Sequence, residues 1–338
     1  MGESNKASTQ SRTYAVCSRL IYHSGLFVNK ALLLALLSGL CSAFLSLLIF
    51  GPAPLIGMGL VFGASIASIS AAFGALSMLY VAGGVDTLLY LGTTAIPSAI
   101  TIWIAFKSSE TGSRPDCGKI LATISVFGLL VISFITIDIL SIGTWIETQI
   151  EKTFGQFFSQ LQLGSNPEQK QHAANAYKLM VHYASSIAPA GLAIVAFIIL
   201  VLNGVFVERI LFHSDKSTLR RPHYSSTKLP NWLCVLFFTS IIACFFPNFL
   251  GKLGLNSAIF LSFPFLLAGL AVIHTLSRRS DRKKSILFGV YIALFVLGVL
   301  FGLLFVLAGC LAFLGAVEQW AGLRRRFGPD QSISKEDE

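Results

Sequence analysis

Few side chains able to do chemistry lie where this chain is most apolar. Asp86, Asp138, Asn203 and His274 are the polar groups that fall within or at the edges of its long hydrophobic stretches. At that depth an ionisable group is costly, and it marks a ligand or proton site unless a helix end or a neighbour accounts for it. Asp86 stands at a helix start, where capping and the helix dipole favour a carboxylate. Asp138 is expected near the outer end of its span and His274 near the inner end of its own, just before Ser277-Arg278-Arg279, so these two do not make one site. Asn203 reads as a hydrogen bond between helices or as a ligand contact.

Other chemistries find little support. In "FHSDKSTLRRPHYS", His213, Asp215 and His223 are of metal-binding type, but a lone His-x-Asp in a polar loop is a weak pattern and no metal is expected. Cysteines 17, 41, 117, 234, 244 and 310 have no metal spacing and suggest no disulfide. No phosphate-cradling Walker sequence is present, so ATP hydrolysis by that route is excluded. "GASIAS" (63 to 68) only loosely resembles a nucleophile elbow, and no strand precedes it. It reads instead as part of a packing face, Gly59, Gly63, Ala67 and Ala71. No acid, base and nucleophile converge, so the chain is expected not to be an enzyme and to need no cofactor.

The elements that hold these residues follow from composition. Of 338 residues, 54% are hydrophobic and 12% charged, and the mean hydropathy is +0.73. Apolar stretches of about 20 residues match the hydrocarbon core of a bilayer, and backbone in lipid must bond internally. The expected fold class is therefore all-α, a polytopic helical membrane protein with about 8 to 10 transmembrane helices. Its net charge of +9 lies in clusters flanking those stretches. That pattern marks the cytoplasmic side of a membrane and points away from nucleic acid.

Spans are expected from Ala31 to Phe50, from Pro54 to about Ile66, on to about Val81, and from Asp86 to Phe106. Further spans are expected at about Ile120 to Leu140, Ser185 to Val207, Asn231 to Leu250 and Ser257 to Thr275. Residues 285–317 would be about 50 Å long as one helix, beyond one crossing. Basic residues at 278–284 and at Arg324, Arg325 and Arg326 put both flanks on one side, which favours a hairpin bending near Gly298 to Gly302. Both termini are then cytoplasmic. Between Ser141 and Ser185, Trp145, Ile146, Ile150, Phe154, Phe157, Phe158 and Leu161 recur at helical spacing, as in a helix lying on the outer leaflet. A second helix starts at Pro167 after Asn166, completing an external hairpin that would serve as a lid or fill space. The expected organisation is a cytoplasmic segment (1–30), helices (31–141), the hairpin (142–184), helices (185–317) and a basic tail (318–338).

One further pattern concerns partners. "ALLLALLSGLCSA" places Ala31, Ala35, Gly39 and Ala43 four residues apart, a stripe that lets two helix backbones approach closely. "TKLPNWLCVLFF" (227 to 238), "LLAGLAVIHTLSRR" (266 to 279) and "EQWAGLRRRF" (318 to 327) together resemble the YybS-like family of bacterial multi-pass membrane proteins. Ala268 departs from that pattern, where an amide side chain is expected before Gly269. The YybS-like architecture is similar to the substrate-binding subunits of energy-coupling-factor transporters. That resemblance implies a bacterial inner-membrane protein with a small-molecule site, whose stripe docks on a coupling membrane subunit served by separate ATPases. The alternatives are intramolecular packing for the stripe and, for the protein, a non-catalytic membrane organiser.

Overall fold

The computed structural model describes residues 30–45, 49–110, 115–138, 141–160, 167–213, 228–277, 283–296 and 303–327. Every regular element among them is helical. The order is α1 (Lys30–Leu45), α2 (Pro52–Phe62), α3 (Ala64–Ala82), α4 (Gly84–Tyr90), a π-helical turn (Leu91–Ala95), α5 (Ile96–Glu110) and α6 (Cys117–Thr136). There follow α7 (Ile142–Gln160), α8 (Pro167–His213), α9 (Asn231–Ala243), α10 (Asn248–Ser277), α11 (Lys283–Phe295), α12 (Leu304–Ala321) and α13 (Leu323–Phe327). Five segments are long and apolar enough to cross a bilayer: Ala64–Ala82, Gly84–Lys107, Cys117–Thr136, Gln171–His213 and Asn248–Ser277. Shorter apolar helices accompany them.

Several boundaries differ from those the hydrophobic pattern suggests. The break expected near Ile66 falls at Gly63 (φ 99°, ψ 170°), a conformation open in practice only to glycine. Gly63 therefore separates two helices, and the stripe Gly59, Gly63, Ala67, Ala71 is not one continuous helix face. Gly83 (φ 93°, ψ −174°) repeats this backbone between α3 and α4. Pro97 has no N–H to give Thr93, and one residue earlier the Ile96 N–H reaches back five residues to the Leu91 carbonyl, making the π turn. α9 ends at Ala243, not Leu250, because Pro247 and the left-handed Asn248 (φ 60°) start α10 early. The run 285–317 divides into α11 and α12. The expected bend at Gly298 to Gly302 lies outside the described residues, as do Asn166, Asp215, His223 and the basic cluster 278–282.

Packing divides the chain into two compact units. One comprises Met1–Phe106 with Leu202–Thr218, the other Lys107–Val201 with Leu219–Glu338. In the second unit, Phe197 of α8 meets Phe260 and Phe263 of α10 edge-on, with ring centroids 6.1 and 5.8 Å apart. Gly128 of α6 leaves room for the Phe260 ring. Gly269 of α10 and Gly315 of α12 face each other's backbone so closely that a Cβ on either would strike a carbonyl oxygen. This is how helices associate where lipid gives no hydrophobic drive. α7 packs on the start of α8, where Phe158 meets Tyr177 at 5.1 Å and the Tyr177 hydroxyl donates to the Glu151 carbonyl.

Candidate functional site

Three of the four polar residues singled out from sequence, Asn203, His274 and Asp138, make hydrogen bonds that fasten one segment to another. Asp86 is the third residue of α4, in its first turn, and not its cap. Asn203, 4% exposed, donates from Nδ2 to the carbonyl of Ile49, a left-handed residue (φ 72°) in the turn after α1. Asn203 thus holds a connection within the first unit. In the second unit, His274 Nε2 lies 2.7 Å from the Tyr291 hydroxyl of α11. Asp138 (φ 57°) lies beyond the end of α6 and accepts from the Thr144 hydroxyl at 2.6 Å and the Thr144 N–H at 3.0 Å. Those bonds, the hydroxyl's first, hold its carboxyl below the ordinary carboxylate range. Asp138 therefore fastens the α6–α7 corner, and it is not joined to His274.

The small-residue stripe faces inward. Ala31, Ala35, Gly39 and Ala43 are buried, while Leu33, Leu37, Leu40 and Phe44 are exposed on the opposite side of α1. A Cβ on Gly39 would strike the Ser70 carbonyl oxygen and lie 2.9 Å from the Gly74 nitrogen of α3. The stripe closes α1 onto α3 within the first unit and is not open to another protein there. The face of α1 left for a partner is the leucine one.

Around this contact lies a polar locus that sequence reading did not assemble. Gly74 leaves space for Tyr90, whose hydroxyl is 2.8 Å from Ser42 Oγ of α1. Ser42 gives its single proton to the Gly51 carbonyl at 2.7 Å, so in this pair Tyr90 is the donor. Leu55, Ala71, Tyr90 and Ala95 form one buried cluster, joined by Ala99. One turn away, Gly59 faces both Ala67 of α3 and Ile102 of α5. Gly59 of α2 thus meets both α3 and α5, and Ala71 of α3 shares the cluster with Ala95 of the π turn. Ser70 of α3 and Ser98 of α5 both have no exposed surface. Ser38, 8% exposed, precedes Gly39 on α1.

Among the described residues, the hydroxyls of Ser38, Ser70 and Ser98, and that of Thr101 one turn from Ser98, have no hydrogen-bond partner. Elsewhere in the unit, Ser68, Ser77, Thr87 and Thr93 each donate to the carbonyl four residues back. Buried hydroxyls are usually satisfied, so four unused donors in one unit single out this interior. Among the described residues of the first unit, the buried polar ones, Ser38, Ser42, Ser70, Thr87, Thr94, Ser98 and Asn203, are uncharged, and a carboxylate oxygen of the half-buried Glu208 is buried beside them in the same unit.

A second polar residue that sequence reading missed is Asn256 of α10, 1% exposed. Its Oδ1 accepts from the Ala190 N–H, and its Nδ2 donates to the carbonyls of Ser186 and Lys252. The amide thus bridges the Ser186–Ala190 step of α8 beside Pro189. The internal proline was visible in sequence, but the residue that repairs its neighbourhood lies 66 positions away from Ala190.

Apolar helices of membrane length, glycine breaks and an uncharged polar interior define a polytopic helical membrane protein. The chain belongs to the DUF2232 family, described as a predicted membrane protein, whose family model matches residues 30–314. No curated protein and no solved structure matches it.

Proposed function

We propose that this chain is a membrane-embedded binding component of a transport system for a small molecule, in the bacterial inner membrane, with no ATPase and no catalytic role of its own. The observation that carries the proposal is the interior of the first unit. There, helices broken at Gly63 and Gly83 and a π turn at Leu91–Ala95 surround uncharged polar groups. Irregular backbone at membrane depth is tolerated where it is buried in protein or lines a cavity, and it is a frequent feature of transport sites. The YybS-like resemblance and its likeness to energy-coupling-factor substrate-binding subunits support the same reading. A coupling membrane subunit would then dock on Leu33, Leu37, Leu40 and Phe44 of α1, since the stripe beneath is buried.

The test is purification from native membranes in mild detergent with mass spectrometry of the proteins retained. Wild type should retain a coupling membrane subunit and an ATPase, and Leu37→Ala with Leu40→Ala should weaken that retention while the chain stays folded. Absence of both partners from wild type overturns the reading. A non-catalytic organiser is the second reading, favoured by the exposed Trp145, Phe157, Leu179, Met180 and Tyr183 on the α7–α8 hairpin. Exposed apolar groups near polar ones mark interaction surfaces. On that reading, substitutions there would remove retained proteins while changes in the first unit would not.

A further inference from the structure

We propose that the α7–α8 hairpin lies on the membrane surface, with its lipid contact made by Met180, Tyr183 and Ile187 of α8 and its angle set by the Asn256 amide. The inference goes beyond the transport reading, does not depend on it, and concerns the second unit alone.

The residues from Pro189 to His213 are enough, at 1.5 Å each, to cross a hydrocarbon core of about 30 Å. The preceding part of α8 then stands beyond the core. Burial changes at the same place: Pro189 and Ala190 are buried, while among the described residues from 143 to 188 none is. The hairpin therefore has no protein core to rest in. α7 is joined to α8 through Phe158 against Tyr177 and the Tyr177 hydroxyl on the Glu151 carbonyl. That contact takes up Phe158, one of the residues whose spacing marks α7 as a surface helix.

Continuity along α8 identifies what covers its apolar side. Tyr183, Ile187, Gly191 and Val195 follow at four-residue steps on one face, and all are exposed. Met180 lies on the same face, one turn before Tyr183, and is also exposed. Lys178 and His182 stand on the other side of the helix. Val195 is within the span, where an exposed valine faces lipid. A face that runs unbroken from the span onto the hairpin meets one phase, and an amphipathic helix at a membrane surface buries such a face in the leaflet.

The bend this requires is built into α8. In an unbroken helix the Ala190 N–H pairs with the Ser186 carbonyl. Here both bond to the Asn256 amide, the N–H to Oδ1 and the carbonyl to Nδ2, each at 3.0 Å. Pro189 keeps the step open, since its ring crowds the Ser185 carbonyl and it has no N–H to give. Amide and ring enter from the buried side of α8, and a wedge on one side of a helix tips its end toward the other. The other side carries the exposed stripe, so the wedge lowers Met180 and Tyr183 toward the leaflet. The hairpin is thus an arm lying on lipid and not a lid over a pocket.

The test places a photoreactive benzophenone amino acid at Met180, Tyr183, Lys178 or Val195 of the full chain. Adducts are identified by mass after irradiation in native membranes and in nanodiscs of phosphatidylcholine. Met180 and Tyr183 should capture acyl chains as Val195 does, and Lys178 should not. In Pro189→Ala with Asn256→Ala, the Ala190 N–H and the Ser186 carbonyl can close on each other, and α8 straightens. Capture at Met180 and Tyr183 should then fall to the Lys178 level, while capture at Val195, which reports an inserted chain, stays. Three results overturn the proposal: no lipid on Met180 and Tyr183 of wild type alongside capture at Val195, an adduct with another protein in place of lipid in native membranes, or capture at Tyr183 that the double variant leaves unchanged. The wild-type pattern decides even where the double variant fails to insert. Retention of a coupling subunit is a separate readout, so the transport reading and this one can each fail alone.

Discussion

Gly39→Ala tests whether α1 lies against α3 as described. The added methyl would strike the Ser70 carbonyl oxygen and come within 2.9 Å of the Gly74 nitrogen and 3.2 Å of the Phe73 Cβ. Carbon contacts are comfortable at about 3.5 to 4.0 Å, so α1 must retreat by about 1 Å. Two of the three obstacles are backbone atoms that no rotamer change can move. Overpacking of this kind costs about 1 to 3 kcal/mol. The retreat also strains the Ser42–Tyr90 bond, 2.8 Å long and one turn along α1. A hydrogen bond lost there adds about 1 kcal/mol. The expected loss is about 2 to 4 kcal/mol, read by thermal or denaturant unfolding in nanodiscs. Gly289→Ala and Gly309→Ala serve as controls, since a Cβ at either meets nothing within 4 Å. They should be neutral or gain up to about 1 kcal/mol from the better helix former. If Gly39→Ala unfolds within about 0.5 kcal/mol of wild type, in the range of ordinary surface changes, the inward-facing stripe is refuted.

Four other outcomes follow from the same geometry. Asn256→Leu leaves the Ala190 N–H and the Ser186 carbonyl unpaired in an apolar interior, and should cost about 2 to 5 kcal/mol by equilibrium unfolding, with Asn256→Gln recovering little because its reach differs. Glu318→Ala should destabilise the chain by about 3 kcal/mol, because the 6% exposed carboxylate pairs with Arg324 Nε at 2.9 Å, and adding Arg324→Leu should restore much of the loss. Gly63→Ala and Gly83→Ala should each cost about 1 to 3 kcal/mol in melting experiments, from backbone conformation and not from space, since neither added Cβ meets an atom. The Asp138 carboxyl is held below its ordinary range by Thr144, so its contribution is complete above the unfolded carboxylate range and is lost as pH falls through the lowered value. Limited proteolysis of the α6–α7 corner should accordingly quicken in acid, and Thr144→Val should flatten that dependence.

The helical membrane class was legible because hydrocarbon thickness sets an apolar length that few other constraints mimic. The small-residue spacing of α1 also announced close packing, but spacing cannot say whether the facing helix is α3 or another chain. Gly63 was placed in a packing face for a related reason. Its apolar neighbours continue without interruption, and only the backbone dihedral shows that the helix stops there. Asn256, Tyr90 and Ser42 escaped notice because each acts on a group 48 to 70 positions away. Asp138 and His274 drew attention by charge, yet their hydrogen bonds are local fastenings of a corner and of two successive helices.

Charge was therefore a poor guide to where this interior is unusual, and hydrogen-bond completeness is a better one. Asn256 accepts one bond and donates two, and Ser42 both donates to Gly51 and accepts from Tyr90. Each pairing joins segments far apart in sequence, so in this interior it is an uncharged amide or hydroxyl, and not a charged group, that ties one helix to another.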